Sequence, residues 1–319
     1  MTARSTVLLA SALLASGLAA GCSDDAASAA PAALARPEAE RVLARYAAAA
    51  DHAGRSLDAA GLPAVETAPL LAMDGASIKL RKAVGRKTTP LKFTDTAFLI
   101  PRAAGYPRWF AVDAMSGSGK DLLRHALLFT QARAGAPWLA TADPYPADDP
   151  LAAVALDADG LATAVPAGNT GLPLAPGKLA AAHAALLSKG PKAPAAQGLA
   201  AGPKTTEAYR ALRAGQAALA AKGITLASTF APAPVPAYAL RTRGGGAVVW
   251  YTIRQNEEYS SAHAGRLSVS GDLVGLVPPR RVRTRMTSTV LVSYLATVPR
   301  KGAAPVSGMY RKAVSAGGS

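Results

Sequence analysis

Apolar side chains first recur with a helical period. Between Pro37 and Gly61, Val42, Leu43, Tyr46, Ala50 and Leu57 fall near one face, the spacing of an amphipathic helix. Pro37 suits the first turn, Glu38 and Glu40 favour the positive end, and Gly61 suits a stop. Pro63 discourages continuation. A second helix is expected from Pro69 to Ala83, carrying Leu70, Leu71, Met73, Ile78 and Leu80. The period then drops to two. Strands are predicted at Phe93–Ile100, Arg108–Met115, His125–Ala132 and Trp138–Ala142. Gly117, Ser118 and Gly119 mark one turn, and Ala134, Gly135 and Ala136 another. Helices followed by an antiparallel meander predict an α+β module with helices on one face of a curved sheet.

A run of acids and prolines from Asp143 to Pro150 punctuates the chain, so the first module is set at 38–150 and a second at 151–319. In the second, Leu151–Leu156 and Leu161–Val165 flank an Asp-Gly turn and predict a hairpin. Helices are expected at Lys178–Ser188 and Thr206–Lys222, with Thr206 as N-cap and Gly223 as stop. Strands should follow at Ile224–Phe230, Ala237–Arg241, Ala247–Asn256, Val282–Val298 and near Val306–Val314. Both modules place a helix before a meander, consistent either with tandem related modules or with the generic likeness of two meanders. The order of a long helix and then a twisted sheet is similar to NTF2-like or cystatin-like cones, an analogy of element order alone.

The N-terminus reads as a targeting segment. Arg4 precedes an uncharged stretch from Val7 to Leu18, too short for the roughly 20 residues of a membrane span and suited to a signal peptide at 1–21. Leu18, Ala19, Ala20, Gly21 and Cys22 resemble the lipobox of bacterial lipoproteins, with Leu18 one place further from the cysteine than that pattern has. The resemblance implies diacylglyceration of Cys22, removal of the signal, and a cell-membrane protein facing the extracytoplasmic side. The alternative is a secreted protein cut after Ala19 or Ala20. Residues 22–37 would form a lipidated, flexible tether; its 14 residues from Ser23 to Arg36 would span about 20 Å as a random coil. The layout as a whole resembles uncharacterised actinobacterial lipoproteins of a domain-of-unknown-function family. The matching stretches are the lipobox, YPRWFAV at 106–112, LDADGLATAV at 156–165 and the final strand pair. Such a family implies a location and an architecture, and no activity.

Charge adds a polarity that hydropathy does not show. The 319 residues carry a net charge of +15. Residues 38–165 balance 14 basic against 14 acidic side chains, whereas residues 166–319 hold 19 basic and four acidic. The second half should be drawn to anionic surfaces. Its sharpest patch is Arg281, Arg283 and Arg285, which a strand from 281 would place on one face at about 6.5–7 Å spacing. Guanidinium forks grip phosphate or carboxylate, so anionic headgroups or a cell-wall polymer are the expected partners. The alternative is a solvated strand face that deters edge pairing. Nucleic acid is not expected, because no recognition motif accompanies the charge. The single cysteine excludes an internal disulfide framework and a cysteine-rich zinc site.

Local motifs carry little chemistry. Gly117-Ser118-Gly119-Lys120 lacks the Ser or Thr and the first Gly of a phosphate loop. Asp157 and Asp159 precede Gly160 without the closing Glu of a calcium loop. His52, His125, His183 and His263 are far apart and suggest no metal site. No nucleophile elbow is present in the sequence, and no cofactor is implied. The pair to inspect for acid–base chemistry is Asp113 with His125, on neighbouring strands. Trp109, Phe110, Trp138, Trp250 and Tyr251 read as packing residues. The expected role is binding or scaffolding at the envelope without a catalytic residue; a pocket-bearing enzyme or small-ligand carrier is the alternative.

Overall fold

A computed structural model describes residues 30–319. The expected signal peptide, Cys22 and the start of the tether lie outside the described residues. The described chain contains helices α1 (Arg36–Ser56), α2 (Leu70–Ala83), α3 (Leu179–Lys189) and α4 (Thr206–Ala220). Its strands are β1 (Phe93–Leu99), β2 (Arg108–Ser116), β3 (Leu123–Gln131), β4 (Leu139–Ala142), β5 (Tyr145–Pro146), β6 (Ile224–Pro232), β7 (Tyr238–Arg241), β8 (Ala247–Ser261), β9 (Arg285–Val298) and β10 (Val306–Gly318). The fold is α+β, with antiparallel sheets.

The first sheet is a meander in the order β1-β2-β3-β4. Alternation splits its side chains between two cores. Phe110, Val112, Ala114, Leu127 and Phe129 face Val42, Leu43 and Tyr46 of α1. Trp109, Ala111, Ala126 and Leu128 face the other way and pack with Leu240, Val248, Trp250 and Leu295 of the second half. The Trp250 indole N–H donates to the Ala126 carbonyl across this boundary at 2.8 Å. The second sheet runs β5-β10-β9-β8-β6, with β7 also on β8. Strand β5 lies inside the stretch that punctuates the sequence and pairs with β10. Helix α2 packs on β10 as well, so the two halves meet through a continuous core.

Several boundaries differ from the sequence-based expectation. Helix α1 ends at Ser56 rather than near Gly61, because Leu57 turns left-handed at φ 58° and its N–H bonds the Ala53 carbonyl. The tether ends before residue 37: Ala33 and Leu34 are buried, and the Ala33 N–H donates to the Pro101 carbonyl. The expected hairpin at 151–165 forms only next to its turn, where Leu156 bridges Ala162 antiparallel and the Asp157 N–H donates to the Leu161 carbonyl; before it lies a short 3-10 turn, and further bridges tie Val154 to Thr242 and Ala164 to Leu240. Thr206 opens α4 but does not cap it; its hydroxyl accepts the Gly202 N–H.

Strand β9 begins at Arg285 rather than Val282. Pro279 starts a 3-10 turn, and the N–H groups of Arg283, Thr284 and Arg285 all point to the Ser319 backbone oxygen. That oxygen captures the donors a strand ladder would need. Arg281 and Arg283 therefore lie outside the strand, and the evenly spaced ridge of three arginines is not formed. All three remain exposed, while Val282, between the first two, and Met286, after the last, are buried.

Candidate functional site

A cavity of about 700 Å³ opens between α1, α2 and the edge of the first sheet. Its walls are largely apolar, with Ala50 and Ala53 from α1, Ile78 and Leu80 from α2, and Leu91 and Phe93 leading into β1. At the mouth, Val84 and Leu123 remain exposed together with the cationic Arg86 and Lys87 and the acid Asp121. Exposed large aliphatic side chains next to two cations give the entrance an amphiphilic character.

The floor is polar. Ser116 ends β2, and His125 lies two places into β3. The register pairs Ala114 with His125 and Ser116 with Leu123, so Ser116 and His125 sit diagonally on the same face of the sheet. The hairpin between them depends on Gly117, where φ is 77° and an added Cβ would lie 2.2 Å from the Asp121 carbonyl oxygen. The Ser116 hydroxyl lies 2.7 Å from His125 Nε2, and His125 Nδ1 lies 2.7 Å from Asp143 Oδ2. A carboxylate accepts, so Nδ1 carries the proton on that side. In that tautomer of the neutral imidazole, Nε2 is the acceptor for the Ser116 O–H. All three residues are buried and line the cavity. Edge-on contacts with Phe93 at 5.0 Å and Tyr145 at 5.3 Å fix the imidazole plane.

A second group of acids stands alongside. Asp74 of α2 accepts a hydrogen bond from the Tyr310 hydroxyl of β10 at 2.8 Å. Burial pushes Asp74 up to about 6, with the Tyr310 bond opposing the shift. Glu66 is pushed further, to about 9, by burial and by the charge of Asp74. Neither Glu66 oxygen has a hydrogen-bond partner, and Asp143 Oδ1 is likewise unpartnered. Burial and the same carboxylates raise the phenols of Tyr46, Tyr145 and Tyr310 well above their ordinary value. The site therefore keeps its tyrosines and Glu66 protonated at neutral pH.

The structure does not bring Asp113 and His125 together. Asp113 lies on the opposite face of the sheet, where its carboxylate accepts from Arg124 at 2.6 Å. Arg124 also pairs with Asp149 at 3.1 Å. Asp157 and Asp159 both grip Arg102, and Asp157 accepts the N–H groups of Asp159 and Leu161. They stabilise a turn. Among the described residues, no group of three or more His, Cys, Asp or Glu side chains could hold a metal ion. His183 is a core residue between the Tyr251 hydroxyl and the Lys204 carbonyl, and burial pushes it down to about 4. Trp109, Phe110, Trp138, Trp250 and Tyr251 are all buried. Arg285 pairs with Glu258 at 2.9 Å. A hollow of about 380 Å³ on the second sheet presents hydroxyls, and its acids Glu257 and Glu258 are held by Arg311 and Arg285.

Sequence reasoning placed His125 in a possible site but missed Ser116, Asp143, Asp74 and Tyr310. A partial signal existed, since a hairpin of known length fixes which strand positions share a face.

A family model described as a domain of unknown function, DUF8094, matches residues 30–318. An uncharacterised lipoprotein of Streptomyces avermitilis is 31% identical over 282 residues, covering 84% of this chain and 80% of the relative. Two uncharacterised lipoproteins of Streptomyces coelicolor are similar: one is 29% identical over 280 residues, 86% of this chain and 82% of its own. The other is 30% identical over 285 residues, 84% and 78% respectively. No solved structure matches, so the NTF2-like and cystatin-like analogy is not confirmed. Among the described residues no helix is long and apolar enough to cross a membrane.

Proposed function

We propose that this chain, which belongs to the DUF8094 family, is a lipid-anchored protein of the cell envelope that binds an anionic amphiphile in the cavity of its first half. The supporting observation is the cavity itself, with apolar walls, a mouth where Val84 and Leu123 stand beside Arg86 and Lys87, and a floor of converging polar groups. Its volume lies within the usual range for small-ligand sites. Burying an eight-carbon chain along the walls would contribute roughly 6 kcal/mol before the costs of association, at about 0.8 kcal/mol per CH₂. The two cations at the entrance would hold a phosphate or carboxylate head.

The relatives' names support anchoring through a lipid, and Cys22 is the attachment point the sequence offers. The protein would then face the extracytoplasmic side. The basic second half, with Arg281, Arg283 and Arg285 exposed, would rest on anionic headgroups or wall polymer and bring the cavity mouth close to its ligand source.

Titration calorimetry with octyl phosphate tests the binding reading. A saturable one-to-one heat that disappears in Ala50→Trp, which fills the cavity, is expected. An absent heat, or one unchanged in that variant, contradicts it. Cys22→Ser should abolish lipid labelling, and retained labelling would exclude Cys22 as the anchor. Binding to anionic vesicles should weaken with salt and on changing the three arginines to glutamine; salt-independent retention would remove the surface role.

A further inference from the structure

We propose that the cavity is also hydrolytic, with Ser116 as the nucleophile and His125 as the base in cleaving an acyl ester whose alcohol part carries an anionic group. This inference rests on the binding reading above, because the same cavity must hold the substrate.

Three observations carry it. The order of contacts is that of an activated serine: hydroxyl to Nε2 and carboxylate to Nδ1, each at 2.7 Å. The three groups come from separate segments, at the end of β2, near the start of β3 and between β4 and β5, and they meet on a cavity wall rather than inside a sealed core. A purely structural hydroxyl–imidazole–carboxylate chain would need no access. The surroundings also divide as such an ester divides. The aliphatic wall suits the acyl chain, and Arg86 and Lys87 at the mouth suit the charged alcohol.

The chemistry closes with water as the second reactant. The Ser116 oxygen bonds the carbonyl carbon while His125 Nε2 takes its proton. The carbonyl carbon becomes tetrahedral and its oxygen takes the negative charge. Collapse breaks the ester C–O bond, and His125 returns the proton to the departing alcohol. A water molecule then gives a proton to His125 and bonds the acyl carbon. Release of the carboxylic acid restores the Ser116 hydroxyl with that proton. Asp143 holds the ring with Nε2 toward the serine and stabilises its cationic form.

The test uses the full lipidated chain in vesicles of an ether-linked phosphocholine, which offers no ester of its own. An octyl fluorophosphonate should add one equivalent, mapped by mass spectrometry to Ser116. The chain should release octanoate from 1-octanoylglycerol 3-phosphate. Ser116→Ala should lose the label and at least about 10³-fold of the turnover. If the wild-type chain binds octyl phosphate but is neither labelled nor active, hydrolysis is overturned while the binding reading stands. If it binds no octyl phosphate, both fall. Labelling at another residue also overturns the assignment. Should Ser116→Ala not fold, the labelling map of the wild-type chain decides alone.

Discussion

Replacing Glu66 by glutamine isolates the cost of burying acids beside the cavity. Glu66 is 1% exposed, and neither of its oxygens has a partner. Burial and the neighbouring Asp74 raise it from 4.5 to about 9. The unfolded chain releases this proton near the ordinary value, so between about 4.5 and 9 the folded state binds more protons than the unfolded state. Stability from this group is therefore greatest at acid pH and declines as pH rises through that window, levelling off above it. One group can contribute a slope of at most about 1.4 kcal/mol per pH unit. From pH 5 to pH 8 the loss could approach 4 kcal/mol. Asp74, also raised by burial and coupled to Glu66, adds to the decline in the same direction, so the two carboxyls titrate as a pair. Urea unfolding at pH 5, 6, 7 and 8 measures both profiles. Glu66→Gln should flatten the decline by about 1 kcal/mol per pH unit, and any cost of burying the amide shifts the curve without tilting it. Parallel wild-type and variant profiles would refute the argument that Glu66 is held protonated.

The packing makes further demands. Phe110 is fully buried and stacks on Phe129 with ring centroids 4.9 Å apart; Phe110→Ala should cost about 3–5 kcal/mol in urea unfolding, and a loss under 1 kcal/mol would contradict the core assignment. Gly117→Ala forces a side chain into the Asp121 carbonyl at a positive φ; it should lower stability by about 1–3 kcal/mol and disturb the His125 ring signals in NMR, and a silent substitution would refute the tight turn. Trp250→Phe removes the bond to the Ala126 carbonyl while keeping an aromatic ring. A loss of about 1–2 kcal/mol is expected, with faster hydrogen exchange along β3, and unchanged exchange would deny that the halves are coupled there.

Legibility followed the range of the physical signal. Strands β1 to β4 were readable because alternation over four to nine residues is a local property of a sheet with distinct faces. The end of α1 was not, because Leu57 adopts a left-handed conformation that its residue type does not announce. The start of β9 was hidden for another reason: Ser319, distant in sequence, takes the amides that local pattern assigned to a strand. The candidate site shows the same limit. Asp74, Ser116, His125, Asp143 and Tyr310 come from separate segments and converge only when α2 and β10 pack beside the first sheet. Asp143 was masked by the acid- and proline-rich run that marks a boundary. Asp113 was the more conspicuous neighbour of His125 in sequence pattern, yet strand parity turns it to the opposite face.

The central claim is that the ligand enters between α1, α2 and the first sheet. A photoreactive alkyl phosphate with an eight-carbon chain and a terminal diazirine tests it directly on the full chain. Cross-links should map to residues 46–54 and 77–91, and excess octyl phosphate should suppress them. Cross-links confined to the basic segment around residues 280–285, or ones that excess octyl phosphate leaves unchanged, would contradict the account.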